Sequence, residues 1–451
     1  MTHFHGPRTT TRYPAQEPSI LLTPLYGPEF TADPERTYEH LRAGYGDCAP
    51  VELAPGVRAT LVLSYRAALQ VLRDPVGFRR DPRPWQYGVP QDSPVLGTMS
   101  YRPNAMFSDG HEHHRLRAAI TEALGQVNHG VLRREIVAVA DGLIDRVAGE
   151  GRADLMAGYA LPLLMIVFTR MFGCTDELAE RVMLGVQRLF DGTDAAEANR
   201  ALDQTMQELL DYKRGVPGND VVSRLLAGGA RLSDEELKHT VLVLMGAGSE
   251  PAANLVGGAL VELLTNADLS EGLSGGTVAV DAAIDEILWR RPPMSNYGIS
   301  YPVRPYSLYG NLLPPGEPVV ISFAAANADP AAAGREHEHA GNRAHLAFSS
   351  GPHACPVPQM ALLLAATAIE RVLERLPGMA LACPVEQLPW RASPFSRGLS
   401  ALPVTFPPAP VTPRHLSAGP PTAVPGEHRV PPPPRVRAGV LAALARWWRG
   451  E

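Results

Sequence analysis

Residues 348–376 read Phe348-Ser-Ser-Gly-Pro-His-Ala-Cys355-Pro-Val-Pro-Gln followed by MALLLAATAIERVLERL, a glycine-containing turn that runs into a long apolar-periodic segment. The periodicity predicts a helix and places Cys355 just ahead of its N-terminus. Unpaired peptide N–H groups and the positive end of the helix dipole favour an anionic sulfur at such a position. Pro356 falls in the first turn, where a missing N–H costs least because no intrahelical acceptor waits for it. A thiolate so placed is a good ligand for ferric haem iron. Three other uses of the residue stay open at this point. A lone cysteine can be structural. With His353 it can form half of a zinc site, although no second pair has suitable spacing. It can also act as a nucleophile with a histidine from elsewhere in the chain.

Outward from this loop, the 451 residues suffice for a large core, in one big domain or in two or three average ones. Lys and Arg total 41 against 47 Asp and Glu, intermixed for a net charge of −6, which gives no electrostatic footing for nucleic acid. Cys48, Cys174, Cys355 and Cys383 form no CxxC pair, which argues against a secreted disulfide scaffold and for a reducing cytoplasm. The opening MTHFHGPRTTTRYPAQEP has no apolar signal core, and no later run is long enough to span a bilayer. The expectation is a cytoplasmic protein, neither exported nor membrane-spanning.

Residues 1–18 read as a loose polar leader, and a main domain is expected over 19–406. DPERTYEHLRAGYG from Asp33 predicts a helix, and VRATLVLSYRAALQVLRDP a strand that switches to helical spacing. Helical patterns dominate from about residue 112 to 270. Strand character returns over Leu312 to Ala325 and again over Leu402 to Phe406. Residues 407–435 are crowded with proline and predict an extended linker. RVRAGVLAALARWWRGE then suggests, over 436–451, either a basic amphipathic helix suited to docking on an anionic membrane surface or a partner protein, or a disordered tail.

From about Asp33 to Phe406 the chain resembles the bacterial, soluble cytochromes P450. The cysteine loop is similar to that family's Phe-Gly-x-Gly-x-His-x-Cys-x-Gly signature, carried here by Phe348, Gly351, His353 and Cys355. Asp109-Gly-His-Glu-His113-His-Arg115-Leu-Arg117 resembles the helix whose His and Arg hold the haem propionates, and one helical turn puts His113 and Arg117 on a common face. Ala247-Gly248-Ser249-Glu250 is similar to the oxygen-binding groove of the long central helix. Asp285-Glu286-Ile-Leu-Trp289 resembles the later Glu-x-x-Arg helix, and Asn327-Ala-Asp-Pro330 the stretch before the cysteine loop.

The chain departs from the family pattern in three places. Where the groove carries a threonine hydroxyl, this sequence has Pro251, which removes both the hydroxyl and the N–H facing the Ala247 carbonyl and predicts a kink. Ser249 lies about 200° round the helix from it and is a poor substitute. Trp289 stands in place of the arginine of Glu-x-x-Arg, as in the actinobacterial group with Glu-x-x-Trp. Either the loop below the haem is loosened, or Glu286 finds another donor. Around the sulfur, Ser349 and Val357 replace glycines, and Pro356 and Pro358 offer no N–H. An electron-rich sulfur and a low reduction potential are expected. The arginine that many relatives place after the Glu-x-x-Arg helix is also missing. Counting back from Pro315-Gly316-Glu317 lands near Ser300, with Arg304 the closest candidate.

The resemblance implies a mainly α fold with a smaller β-rich region (α+β), binding haem b, iron protoporphyrin IX. Cys355 would be the metal ligand, and Phe348, Gly351, His353, His113 and Arg117 would line the cofactor. Ala247, Gly248 and Glu250 would form the catalytic groove. The implied activity is monooxygenation of an apolar or amphipathic small molecule in specialised metabolism, atypical because of Pro251. Electrons would come from a separate ferredoxin and ferredoxin reductase, since the chain shows no flavin or iron–sulfur segment of its own. Alternatives are a haem protein that senses, binds or scaffolds with little turnover, and a peroxide-driven peroxygenase.

Overall fold

Ser233 accepts a hydrogen bond from the Glu236 N–H and Glu236 reaches back to the Ser233 N–H, a reciprocal cap worth about 1 kcal/mol that opens the longest helix, Asp234–Thr265. From Ala252 to Val261 it is buried nearly all round, with Ala253, Val256 and Leu260 in the main core, which Val241 and Met245 join from the earlier half. Helical hydrogen bonding continues through Pro251, so the residue is accommodated inside the helix and does not end it. A computed structural model describes residues 22–190, 195–266, 280–332 and 341–408, together with the single residue Arg446. The leader expected over 1–18 and the basic helix expected over 436–451 lie outside the described residues, Arg446 apart. So does the proline-rich linker, apart from 407 and 408.

Against the long helix pack Leu161–Met171, Val280–Arg290 and the cysteine-loop helix, Pro358–Arg375, all amphipathic or wholly apolar. The sequence expectation of an α-rich body is met in this layer. The expected strand-then-helix at Val57 resolves into strand β3 (Val57–Val62) and the helix Tyr65–Arg73, which the Ser64 side chain caps. The DPERTY segment forms Pro34–Tyr45, capped by Asp33 with proline at its first position.

The β region lies to one side. Its main sheet runs in the order β1 (Thr23–Pro24), β2 (Cys48–Ala54), β3, β9 (Val319–Ser322), β6 (Asn296–Pro302), β4 (Phe78–Arg79). A second sheet pairs β10 (Ala380–Leu381), β11 (Pro403–Thr405) and β5 (Arg152–Asp154), and β7 (Tyr306–Leu308) pairs with β8 (Asn311–Leu313). The strand expected over Leu312 to Ala325 is broken in two and ends early. Ser322 caps the Ala325 N–H, so Phe323–Asn327 turns helical. Two smaller apolar clusters fill the space under the sheet. Among the described residues no helix is long and apolar enough to cross a membrane.

Candidate functional site

The cysteine loop is closed by its own backbone. The Cys355 N–H donates to the Phe348 carbonyl at 2.8 Å, Ser349 N–H to Leu346 at 2.7 Å, and Ala354 N–H to Gly351 at 3.1 Å. Gly351 adopts φ +72°, and a β-carbon there would overlap the Leu72 carbonyl, so the loop can seat against the helix Tyr65–Arg73 only with glycine. That helix holds the loop further: Arg73 Nε donates to Ser350 Oγ at 2.9 Å and Tyr65 Oη to the Ala344 carbonyl. The helix after the loop begins at Pro358, with Val357 as its cap residue. Pro358, and not Pro356, therefore takes the first helical position.

This later start corrects the simple picture of the sulfur. Burial pushes the Cys355 thiol above its ordinary value, while the Val357 N–H directed at it and the Arg117 charge pull the other way. Coordination to a bound cation would favour the thiolate further. No histidine is among the groups that act on this thiol, which weakens the nucleophile reading. Among the described residues no three His, Cys, Asp or Glu side chains converge into a metal cage, so the zinc reading gains no ligands there.

The helix Gly110–Gly125 brings the expected pair to the loop. Arg117 Nη2 donates to the Ala354 carbonyl, next to Cys355, and the His113 ring lies 4.0 Å, centroid to centroid, from His353. Arg115 turns the other way, to Glu236 at the head of the long helix, and so fixes the orientation that sends Arg117 inward. His113 is 3% exposed and its Nε2 has no hydrogen-bond partner. Burial, with Arg117, His114 and Arg80 adding repulsion, lowers its pKa to about 4. His353 is shifted the same way by burial and by Arg80, His113 and Arg117. Buried donors surrounded by cations form a niche for carboxylates, which fits the propionates of haem.

Behind the loop, Trp289 answers the question left by the missing arginine. Its indole N–H donates to the Asn342 carbonyl at 2.7 Å, and its ring meets that of His345 edge-on. Four positions earlier, one turn back on the same helix, the Asp285 carboxylate accepts the Gly341 N–H at 2.9 Å, and its neighbour Glu286 pairs with Arg290 at 3.2 Å. Asn327 adds a bridge that sequence reading missed. Its amide donates to the Leu288 carbonyl at 2.9 Å and accepts the Leu346 N–H at 2.8 Å. The region is tied, not loosened.

On the long helix the groove residues separate. A β-carbon at Gly248 would overlap the Phe168 ring, so this glycine permits close helix packing, whereas Ala247 is exposed. Ser249 is buried with its hydroxyl donated to the Met245 carbonyl at 2.7 Å. Glu250 accepts from Arg391 at 3.2 Å and from Ser396 at 3.4 Å, both on the segment that precedes β11. The expected anchor Arg304 is exposed beyond the end of β6 and takes no part in this grouping.

No protein-family model matches the chain. It is 31% identical over 411 residues to the cytochrome P450 monooxygenase PikC of Streptomyces venezuelae, covering 88% of this chain and 97% of that protein. It is 32% identical over 418 residues to nocardicin C N-oxygenase of Nocardia uniformis subsp. tsuyamanensis, covering 88% and 100%. Among solved structures, CYP154C4 from Streptomyces sp. W2061 superposes with a TM-score of 0.77 at 28% identity, covering 85% of this chain and 98% of that one. With the cysteine loop, the imidazole–guanidinium niche and the long grooved helix all present in one such fold, the chain belongs to the cytochrome P450 family, whose prosthetic group is haem b.

Proposed function

We propose that the protein is a haem-thiolate monooxygenase of specialised metabolism that oxidises an apolar or amphipathic small molecule with electrons from a separate ferredoxin and ferredoxin reductase. The observation that carries this reading is the convergence of a half-buried cysteine with His113, Arg117 and His353, a set suited to one iron and two carboxylates. When bound, haem supplies one-electron and dioxygen chemistry that no side chain can. Cys355 would hold the iron through Sγ. Arg117, His113 and His353 would donate to the propionates, Phe348 would close the loop over the sulfur, and Gly351 would let it seat on its neighbouring helix.

A small cavity that Arg80 shares with Met99, Met106, Phe107, Tyr297, Ile299 and Tyr301 has room for little more than a water, so the apolar substrate class rests on the likeness to the P450 relatives. Ala247 and Gly248 would shape the groove, one open and the other packed. Glu250, gripped by Arg391 and Ser396, would hold a proton at its carboxylate for relay through ordered water. Because Ser249 is turned onto Met245, this relay replaces the usual hydroxyl only in part.

The decisive experiment is a reduced, carbon-monoxide-treated spectrum of purified protein. A band near about 450 nm is expected for thiolate ligation, and one near about 420 nm would refute the role of Cys355. A second reading, binding or sensing with little turnover, is favoured by the one observation that the Ser249 hydroxyl, two residues before Pro251, is spent on the Met245 carbonyl. Surrogate redox partners separate the two: oxidised product supports the monooxygenase, and electrons appearing wholly as peroxide support the alternative.

A further inference from the structure

A guanidinium stands next to the place of the missing third arginine, carried there by a neighbouring strand. Strand β4 pairs antiparallel with β6, Phe78 opposite Pro302 and Arg79 opposite Tyr301, so the next residue, Arg80, comes level with Ser300. Ser300 is the position at which counting along the sequence expected an arginine. It is 2% exposed and its hydroxyl has no hydrogen-bond partner. The Arg80 guanidinium reaches across to this point and donates Nη1 to the Ile299 carbonyl at 2.8 Å. One carbonyl uses a single donor of the five that a guanidinium carries.

The acid nearest to Arg80 is engaged by backbone. Asp109 accepts the Arg80 N–H at 2.9 Å and that of Asp81, at the head of the helix that carries His113 and Arg117. Strand and helix are thereby locked so that Arg80 and Arg117 both bear on His113 and His353. Every charged neighbour that acts on these two imidazoles is cationic, and burial already draws Arg80 down to about 10. Two guanidiniums bearing on two neutral imidazoles favour an anion among them besides Asp109.

We propose that Arg80 is a carboxylate anchor of the haem pocket, delivered by β4 to the place where Ser300 stands on β6. The proposal rests on the haem-binding reading, and it gives that site a residue outside the motifs that identify the family. A guanidinium fixed to the Ile299 carbonyl offers its remaining donors to a propionate in a fixed direction, as a bidentate site requires.

The test uses the purified holoprotein with Arg80→Gln, Arg80→Lys and, as control, Arg304→Ala. Haem loss to excess apomyoglobin is followed together with the propionate bending bands in the resonance Raman spectrum. Expected is loss about tenfold faster for Arg80→Gln, a smaller change for Arg80→Lys, shifted bending bands in both, and no change for Arg304→Ala. Circular dichroism identifies a variant that has failed to fold, in which case the lysine variant decides. Loss within about twofold of the parent overturns the proposal. Faster loss with unmoved bands also overturns it, because Arg80 is then only a strut on Ile299. A parent protein that purifies without haem would instead sink the reading beneath it, and the two failures are told apart in the parent alone.

Discussion

Around the cysteine loop, a residue missing from the family pattern is answered by bonds from other residues; around Pro251, the hydroxyl at hand points elsewhere. Trp289, Asp285 and Asn327, on two helices, hold the chain from Gly341 to Leu346 through three hydrogen bonds, and a fourth ties Asn327 to Leu288. By contrast, Ser249 spends its hydroxyl on Met245, and Glu250 is drawn toward Arg391 and Ser396. Holding a cofactor and handling its protons are thus separable tasks in this molecule. The loop for the first is tied by different side chains, and the second is proposed to differ because Pro251 carries no hydroxyl.

The largest effect is expected where the rebuilt side is most concentrated. Asn327→Ala strips partners from the Leu288 carbonyl and the Leu346 N–H, both internal, and should destabilise the holoprotein by about 3 kcal/mol in urea denaturation. Trp289→Phe removes one hydrogen bond and keeps the ring, at about 1 kcal/mol. If Asn327→Ala falls within about 0.5 kcal/mol of the parent, the loop is held by something other than these bonds, and the contrast with the distal side loses its basis.

Pro251→Thr probes the other region. It restores an N–H facing the Ala247 carbonyl and relieves a proline inside a helix, so stability should rise by about 1–3 kcal/mol. It also returns a hydroxyl to the groove, and the share of electrons lost as peroxide with surrogate partners should fall. Greater stability with unchanged peroxide would mean that Glu250 and its partners already manage protons without that hydroxyl.

What was legible in the sequence was local. Phe348 to Cys355 is one short loop, and His113 with Arg117 is one helical turn, so spacing alone brought their residues together. Links between distant segments stayed hidden. Trp289 meets Asn342 across 53 residues and Arg80 meets Ile299 across 219, and no periodicity encodes either. Arg304 was favoured because counting follows one strand, whereas the available cation lay on the strand beside it. β4 is two residues long, too short to leave an alternating pattern. The placement of Cys355 before a helix was legible, whereas the desolvation that opposes its ionisation is a property of packing and is invisible in the loop's own residues.

The smallest expected effect tests whether the rebuilt side is free of strain. Ser349 occupies φ +62°, a left-handed conformation that costs a β-carbon-bearing residue about 1–2 kcal/mol, and its buried hydroxyl has no hydrogen-bond partner. Ser349→Gly removes both penalties but widens the unfolded ensemble by about 0.5–1 kcal/mol. The net gain should be about 0.5–1 kcal/mol, read as a shift in the urea midpoint at constant slope. A loss of stability would show that the hydroxyl is used once haem is bound, for example toward a neighbouring carboxylate. The serine would then belong with Trp289 and Asn327 among the replacements that hold the cofactor, and the strain at position 349 would be the cost of that contact.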